Sequence, residues 1–254
     1  MTAPAFERTI AFEHRFAKAQ ASKVVDLPWG YAVLQDEFPL SEYHNRLTVT
    51  SAVSADDVLD ATDDLLGGKG LRHRYVVADD DVGRRLHDAF RAAGYEDEVI
   101  VTMIHSGSAV EPAGSEVRAV SLDELRAAMT RDWRVALPDA THEHIRQLVD
   151  RTALYDRAAA TTRLAVYEGD VIAAHAVLFV DQLDRVAQFE NLVTHEDFRG
   201  RGYGGALVRA ALRRAHQADA DVRFLTADLN DWPREWYARL GYVAVGRSHH
   251  FSRR

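Results

Sequence analysis

Phe198-Arg199-Gly200-Arg201-Gly202-Tyr203-Gly204-Gly205-Ala206-Leu207 places four glycines and two arginines in a turn that runs straight into an apolar-periodic helix. Leu207, Ala211 and Ala215 share one face of that helix with Val208 and Leu212 beside them, while Arg209, Arg213 and Arg214 fall largely elsewhere. The first N–H groups of a helix have no intrahelical partner, and the helix dipole favours negative charge at that end. Glycine removes the side chains that would keep a phosphate off the backbone. The stretch therefore reads as an anion site on bare main-chain amides.

Gly200, Gly202 and Gly205 also spell G-x-G-x-x-G. A dinucleotide fold needs that motif in its first βαβ unit with several parallel strands to follow, and only about 50 residues remain here, enough for two strands. A Walker A loop fails as well, because no Lys-Ser/Thr follows the glycines. A turn with no ligand is the bland alternative, disfavoured by the conformational cost of keeping four glycines.

The 254 residues allow one large domain or two small ones, and 47% apolar residues are enough for a full core. No apolar run reaches the length of a membrane span, and Glu7, Arg8, Glu13, Arg15 and Lys18 make the first residues unlike a signal peptide. A cytoplasmic protein without membrane partners is expected. With 0 cysteines the chain has no thiolate metal site, disulfide or cysteine nucleophile. The net charge of −8 sits in the first 112 residues, which carry 11 Lys+Arg against 19 Asp+Glu; the remainder carries 20 of each. That balance argues against nucleic acid as a partner and leans towards a cationic one, though a solvated acidic helix face at Asp56, Asp57, Asp60, Asp63 and Asp64 explains it as simply.

Ser106 to Ser115 is small, polar and broken by Pro112 and Gly114, the composition of a linker. It divides the chain into 1–112 and 113–254. In the second part, Val117–Val120 predicts a strand, and Ser121 with Glu124 a capping box opening a helix. A further helical stretch runs from Asp139 to about Ala158. Arg163–Tyr167 and Val171–Val180 are strands joined at Glu168-Gly169-Asp170, and Arg185–His195 is another. After the glycine turn and its helix come a strand at Phe224–Leu229, a short helix at Asp231–Leu240 capped by Gly241, and a last strand at Tyr242–Phe251. The first part echoes the end of this order: strand Leu47–Thr50, helix Ser54–Leu66, strand Arg74–Ala78, helix Val82–Ala93 and strand Glu98–His105. Ala92-Ala93-Gly94-Tyr95 parallels Arg239-Leu240-Gly241-Tyr242. Where a second glycine turn would fall stands Ser51-Ala52-Val53-Ser54-Ala55-Asp56-Asp57, whose bulk and negative charge repel phosphate.

Arg199-x-x-Gly202-x-Gly204 between a strand and a helix, the strand exit Val193 to Gly200, and Tyr237-Ala238-Arg239-Leu240-Gly241-Tyr242 together resemble the GNAT superfamily of acyl-CoA-dependent N-acyltransferases. The resemblance spans about 140 residues, from Val117 onward. It implies an α/β (mixed α+β) fold: a central, mostly antiparallel mixed sheet flanked by helices, with a smaller degenerate GNAT-like, non-catalytic domain at 1–112 and the catalytic domain at 113–254. It implies acetyl-CoA as cosubstrate, its pyrophosphate on the amides of Arg201, Gly202, Tyr203, Gly204 and Gly205 in the turn that Gly200 opens, with charge from Arg199 and Arg201. A splayed sheet beside Leu192, Val193 and Thr194 would take the pantetheine arm as a pseudo-strand, and the N–H of Leu192 or Val193 would face the oxyanion. Asn230 matches a polar position facing that arm and reads equally well as a helix N-cap beside Asp231.

The implied reaction is direct transfer of an acetyl group to a primary amine on a small molecule or peptide, with acceptor selection falling to residues Leu122–Arg157 or to the acidic first half; a homodimer is left open. The different-class alternative is a non-catalytic acyl-CoA-binding sensor or scaffold. Glu190, on the same strand face as Gln188, is the first candidate base, because burial lifts a carboxylate's pKa towards a useful value; its competing reading is an ion pair with an arginine. His175 is second, more simply read as a hydrogen-bonded core residue, and ordered water needs neither. Tyr237 is the candidate acid for the departing thiolate, against a reading as an aromatic core contact. Trp232-Pro233 reads as structural. His142-Glu143-His144 and His249-His250 lack a partner set with ligand spacing, so no metal is assigned.

Overall fold

A computed structural model describes residues 3–107 and 115–254. Residues 108–114, the middle of the expected linker, lie outside the described residues. In chain order the elements are α1 (Ala3–Ala19), β1 (Lys23–Leu27), β2 (Gly30–Leu34), β3 (Arg46–Val49), α2 (Ala55–Thr62), β4 (Arg74–Asp79), α3 (Asp80–Ala92) and β5 (Glu96–His105). After the break come β6 (Arg118–Val120), α4 (Leu122–Ala136), α5 (His142–Asp150), α6 (Tyr155–Ala158), β7 (Ala160–Glu168), β8 (Val171–Asp181) and β9 (Val186–Thr194). The chain closes with α7 (Tyr203–Gln217), β10 (Val222–Asp228), α8 (Pro233–Arg239) and β11 (Tyr242–Arg253).

All strands join one mixed sheet in the order β1-β2-β3-β4-β11-β5-β10-β9-β8-β7-β6. β3–β4 and β9–β10 pair in parallel and every other neighbour is antiparallel. The pattern is two-fold. β1 to β4 repeat the pairing of β7 to β10, and the last strand of each half crosses the middle: β5 pairs with β10, β11 with β4, and the two pair with each other. The division expected at 1–112 and 113–254 does not divide the sheet, which both parts share. The exchange instead buries both terminal strands at the centre, where neither is left as an edge.

The sheet has apolar layers on both faces. On one, α7 lays Leu207, Val208, Ala211, Leu212 and Ala215 against Ala174, Ala176 and Leu178 of β8 and Phe189 of β9. On the other, Phe12 and Phe16 of α1 pack with Tyr155, Val177, Phe179, Val186 and Phe224. α1 was not expected from the sequence, although its i, i+4 aromatics fit this role. It reaches the central seam because Gly246, beside a bulge in β11, carries no side chain: a Cβ there would lie 2.1 Å from the Phe6 ring. The β1–β2 hairpin was also missed; Gly30 is required there because a Cβ would meet the Thr48 carbonyl at 2.0 Å. The remaining half has its own core around Leu47, Val58, Leu66, Val76, Leu86, Phe90 and Phe251.

Several local expectations hold in detail. Ser121 and Glu124 form the reciprocal capping box (Glu124 N–H to Ser121 Oγ 3.2 Å, Ser121 N–H to Glu124 Oε2 2.7 Å). Glu168-Gly169-Asp170 turns the β7–β8 hairpin, with Gly169 at φ 59°. The single helix expected over Asp139–Ala158 is broken instead into α5, a short 3₁₀ turn and α6.

Candidate active site

β9 and β10 pair only from Val186↔Val222 to Gln188↔Phe224, then separate. The reason lies in both strands. β9 bulges: residues 191–192 stand opposite the single Ala176, and Asn191 takes φ 55°, a left-handed conformation that bends the strand away. β10 meanwhile stays bonded to β5 as far as the Leu229 N–H to the Val99 carbonyl (2.8 Å).

The parting opens into a cleft of about 790 Å³. One wall is Leu192, Val193 and Thr194; the floor is Arg199, Gly200, Arg201, Gly202, Tyr203, Gly204 and Gly205; Trp236 and Tyr237 of α8 close the other side. Gly202 N-caps α7 at φ 82° with no capping side chain, and Gly200 sits at φ 77°. The first helical bond of this turn runs from the Ala206 N–H to the Gly202 carbonyl (3.1 Å), which leaves the amides of Tyr203, Gly204 and Gly205 without helical acceptors. Space above Gly200 and Gly202 is open. At Gly204 a Cβ would sit 3.4–3.8 Å from Trp236, Leu192 and Thr194, on the wall of the cleft. This amide cradle fits a pyrophosphate.

The charges around it divide. Arg201 is partly engaged, 3.2 Å from the Glu168 carboxylate and bonded to the Asp197 carbonyl, and the Tyr203 hydroxyl also binds Glu168. Arg199 donates to the Thr194 carbonyl at 3.4 Å. Arg209, not singled out from sequence, lines the cleft too; it lies one turn after Gly205, whose missing side chain lets the guanidinium lie across the turn. The i, i+4 spacing was the available signal. Asn230 is exposed and lies outside the lining of the cleft, because β10 follows β5 there, and its N–H donates to Asp228 Oδ1 at 2.7 Å. Nor does it cap α8, whose N-cap is Trp232. The corresponding turn of the other half is closed to anions: Ser54 caps α2 by accepting from the Asp57 N–H at 3.1 Å, and Asp56 and Asp57 occupy the first turn.

Glu190 stands at the apex, on the sheet face that carries α1. Its Oε1 accepts from Thr226 Oγ1 (2.8 Å) and Gln188 Nε2 (2.9 Å). Among the described residues it pairs with no arginine or lysine, so the competing ion-pair reading has no partner. Burial pushes its carboxyl above the usual range, partly offset by those two hydrogen bonds. Gln188 also reaches Glu13 of α1 (3.4 Å), whose pKa is pushed up to about 8 by burial and by the charge on Glu190. Glu13 was not picked out from sequence, because only the docking of α1 brings it here. Tyr237, on the opposite face, is buried, with its hydroxyl held above the ordinary phenol value by burial and then by Glu190.

Glu190 and Asn191 line a second chamber of about 240 Å³ between the halves, walled by α1, β3, β4 and β11. A third of about 320 Å³ lies under α4 and α5, beside Trp133, Leu148 and Thr194, and shares Arg151, Tyr155 and Asn191 with the second. His175 is buried and bonds Asp132 at 3.1 Å. Burial of Asp132 is outweighed by bonds from His175 and Arg131, which hold its carboxyl low. His249 does find neighbours that the sequence did not reveal: Asp97 contacts both His249 Nδ1 (2.9 Å) and His87 Nδ1 (2.6 Å). Direct contacts that short make a hydrogen-bonded triad rather than three ligands spread about an ion.

Residues 122–242 match the model of the acetyltransferase (GNAT) family. No curated protein sequence matches the chain. Among solved structures, a functionally unknown conserved protein from Staphylococcus epidermidis superposes with a TM-score of 0.70 at 15% identity, covering 92% of this chain and 94% of that one. A GCN5-related N-acetyltransferase from Kribbella flavida gives 0.64 at 16%, covering 99% and 96%. A tandem GNAT protein from the clavulanic acid biosynthesis pathway gives 0.57 at 14%, covering 89% and 78%. At these identities the likeness is one of fold.

Proposed function

We propose that residues 122–242, which match the acetyltransferase (GNAT) family model, act as an acetyltransferase domain, and that the chain transfers an acetyl group from acetyl-CoA to a primary amine by direct attack in a ternary complex. The observation that carries this reading is the parting of β9 and β10, which puts an amide cradle, a strand edge and Tyr237 on one cleft, with Glu190 at the apex of the gap in the adjoining chamber. A bound thioester supplies an activated acyl carbonyl. The amides of Tyr203, Gly204 and Gly205, with Arg199 and Arg209, hold the pyrophosphate, and the edge Leu192–Thr194 aligns the arm. Glu190 accepts the proton of the amine. Tyr237, kept protonated by burial, donates to the departing thiolate from the other face. Most of the rate gain comes from holding two reactants on opposite sides of one gap. Residues 1–112 are read as a degenerate copy that walls the acceptor side and binds no CoA, since Ser54, Asp56 and Asp57 fill its anion turn.

Thiol release from acetyl-CoA in the presence of a panel of primary amines tests the reading. Amine-dependent release supports it. CoA binding without release on any amine would replace it with a sensor.

A further inference from the structure

The chamber between the halves is lined by a guanidinium and by carboxyls that form no ion pair with it among the described residues. Arg46, the first residue of β3, is only 5% exposed. Its guanidinium lies 4.0 Å over the Tyr43 ring and donates to the Tyr43 carbonyl, while its Nε has no partner. Glu13, Asp79 and Glu190 line the same space. Among the described residues, none of these three carboxyls forms an ion pair with a lysine or arginine, and Arg46 forms none with a carboxylate. A buried guanidinium without a counter-ion is costly, and crowding half-buried carboxyls together is costly too. Both persist in about 240 Å³, held apart by separate strands and by α1.

The other titratable groups facing the chamber do not supply the missing charge. His14 and His250 are held uncharged at neutral pH, to about 4 and about 3, by burial and then by Arg46. Tyr31, Tyr43 and Tyr155 are phenols. Arg151, at the mouth shared with the third chamber, is occupied by Ser41 Oγ at 2.6 Å and has its own unpartnered Nε. A plain cation would satisfy the carboxyls and meet Arg46 as a like charge. A plain anion would do the reverse. A molecule with both charges satisfies both ends.

We propose that the acceptor is a small zwitterion, an amino acid in the broad sense, whose amino group lies between Glu13 and Glu190 and whose carboxylate binds Arg46. This rests on the acyl-transfer reading above. In the step itself the ammonium gives one proton to Glu190, the amine nitrogen bonds to the acyl carbonyl, and the C–S bond breaks. As the adduct collapses Tyr237 protonates the sulfur, the second proton of the nitrogen passes through solvent to restore Tyr237, and Glu190 releases its proton to solvent.

The test is a thiol-release panel of α-, β- and γ-amino acids of two to five carbons, each beside its primary amide and its decarboxylated amine, with the wild-type protein. At least one zwitterion should exceed both partners in kcat/KM by about 20-fold, the worth of one buried charge-assisted contact. Arg46→Gln should collapse that ratio towards 1, and Arg46→Lys should restore part of it. Zwitterions no better than their amides and amines in the wild-type protein would overturn the proposal, with no variant needed. CoA calorimetry separates the two levels. A protein that fails to bind CoA refutes acyl transfer, and the same panel titrated into the ligand-free protein then decides the chamber's preference by binding alone.

Discussion

The Thr226 hydroxyl donates a 2.8 Å hydrogen bond to the Glu190 carboxylate just past the point where β9 and β10 stop pairing. Main-chain pairing ends at Gln188↔Phe224, and this side-chain contact takes over one step later. The carboxylate is thereby fixed at the apex of the gap, where it lines the chamber between the halves.

Glu190→Gln keeps the Thr226 contact and removes the base. Turnover should fall by about 10²- to 10³-fold with CoA affinity changed less than twofold. The wild-type acid limb of kcat/KM should lie above the ordinary carboxylate range, because burial raises this group and the base works only when ionised. Activity is then lost as pH falls through that raised value. A Glu190→Gln variant that retains both the rate and the limb would remove Glu190 from the chemistry.

Tyr237→Phe deletes one hydroxyl on the α8 side. Turnover should drop by about 10²-fold while CoA binding stays within about twofold, because the ring still packs against Trp236 and Tyr242. Equal turnover would return Tyr237 to a packing role.

Glu13 makes a stability prediction. Its folded pKa of about 8 lies above the unfolded value of 4.5. A raised carboxyl stabilises the fold fully below the unfolded value, and that contribution is lost as pH rises through the folded one. Unfolding free energy should therefore decline between pH 4.5 and 8, with a slope approaching 1.4 kcal/mol per pH unit from this group. Glu13→Gln, which stays neutral, should flatten that part of the curve in denaturant titrations. Parallel curves for variant and wild type would show that Glu13 titrates normally.

The cleft was legible in the sequence because its parts are local. A glycine turn leading into a helix, a strand edge before it and a Tyr-x-x-x-Gly-Tyr helix end each announce themselves within ten residues. The chamber between the halves was not legible. Glu13, Arg46 and Asp79 lie far apart in the chain and meet Glu190 only because α1 docks across the seam and β11 crosses into the other half. No periodicity within β5 or β11 records which strand it will pair with. The surroundings of Asn230 were hidden for the same reason: they are set by β10 following β5, a long-range pairing. The bulge at Asn191 was hidden too, since asparagine takes a left-handed conformation here without a flanking glycine.

Calorimetric titration of CoA into the wild-type protein and into Gly202→Val tests the central claim most directly. Gly202 holds φ 82°, where a β-branched residue is strained, and its side chain would enter the open space above the turn amides. Saturable one-to-one binding by the wild type, weakened at least about 100-fold in a folded Gly202→Val, is the predicted result. No binding by the wild type, or equal binding by both, would contradict it.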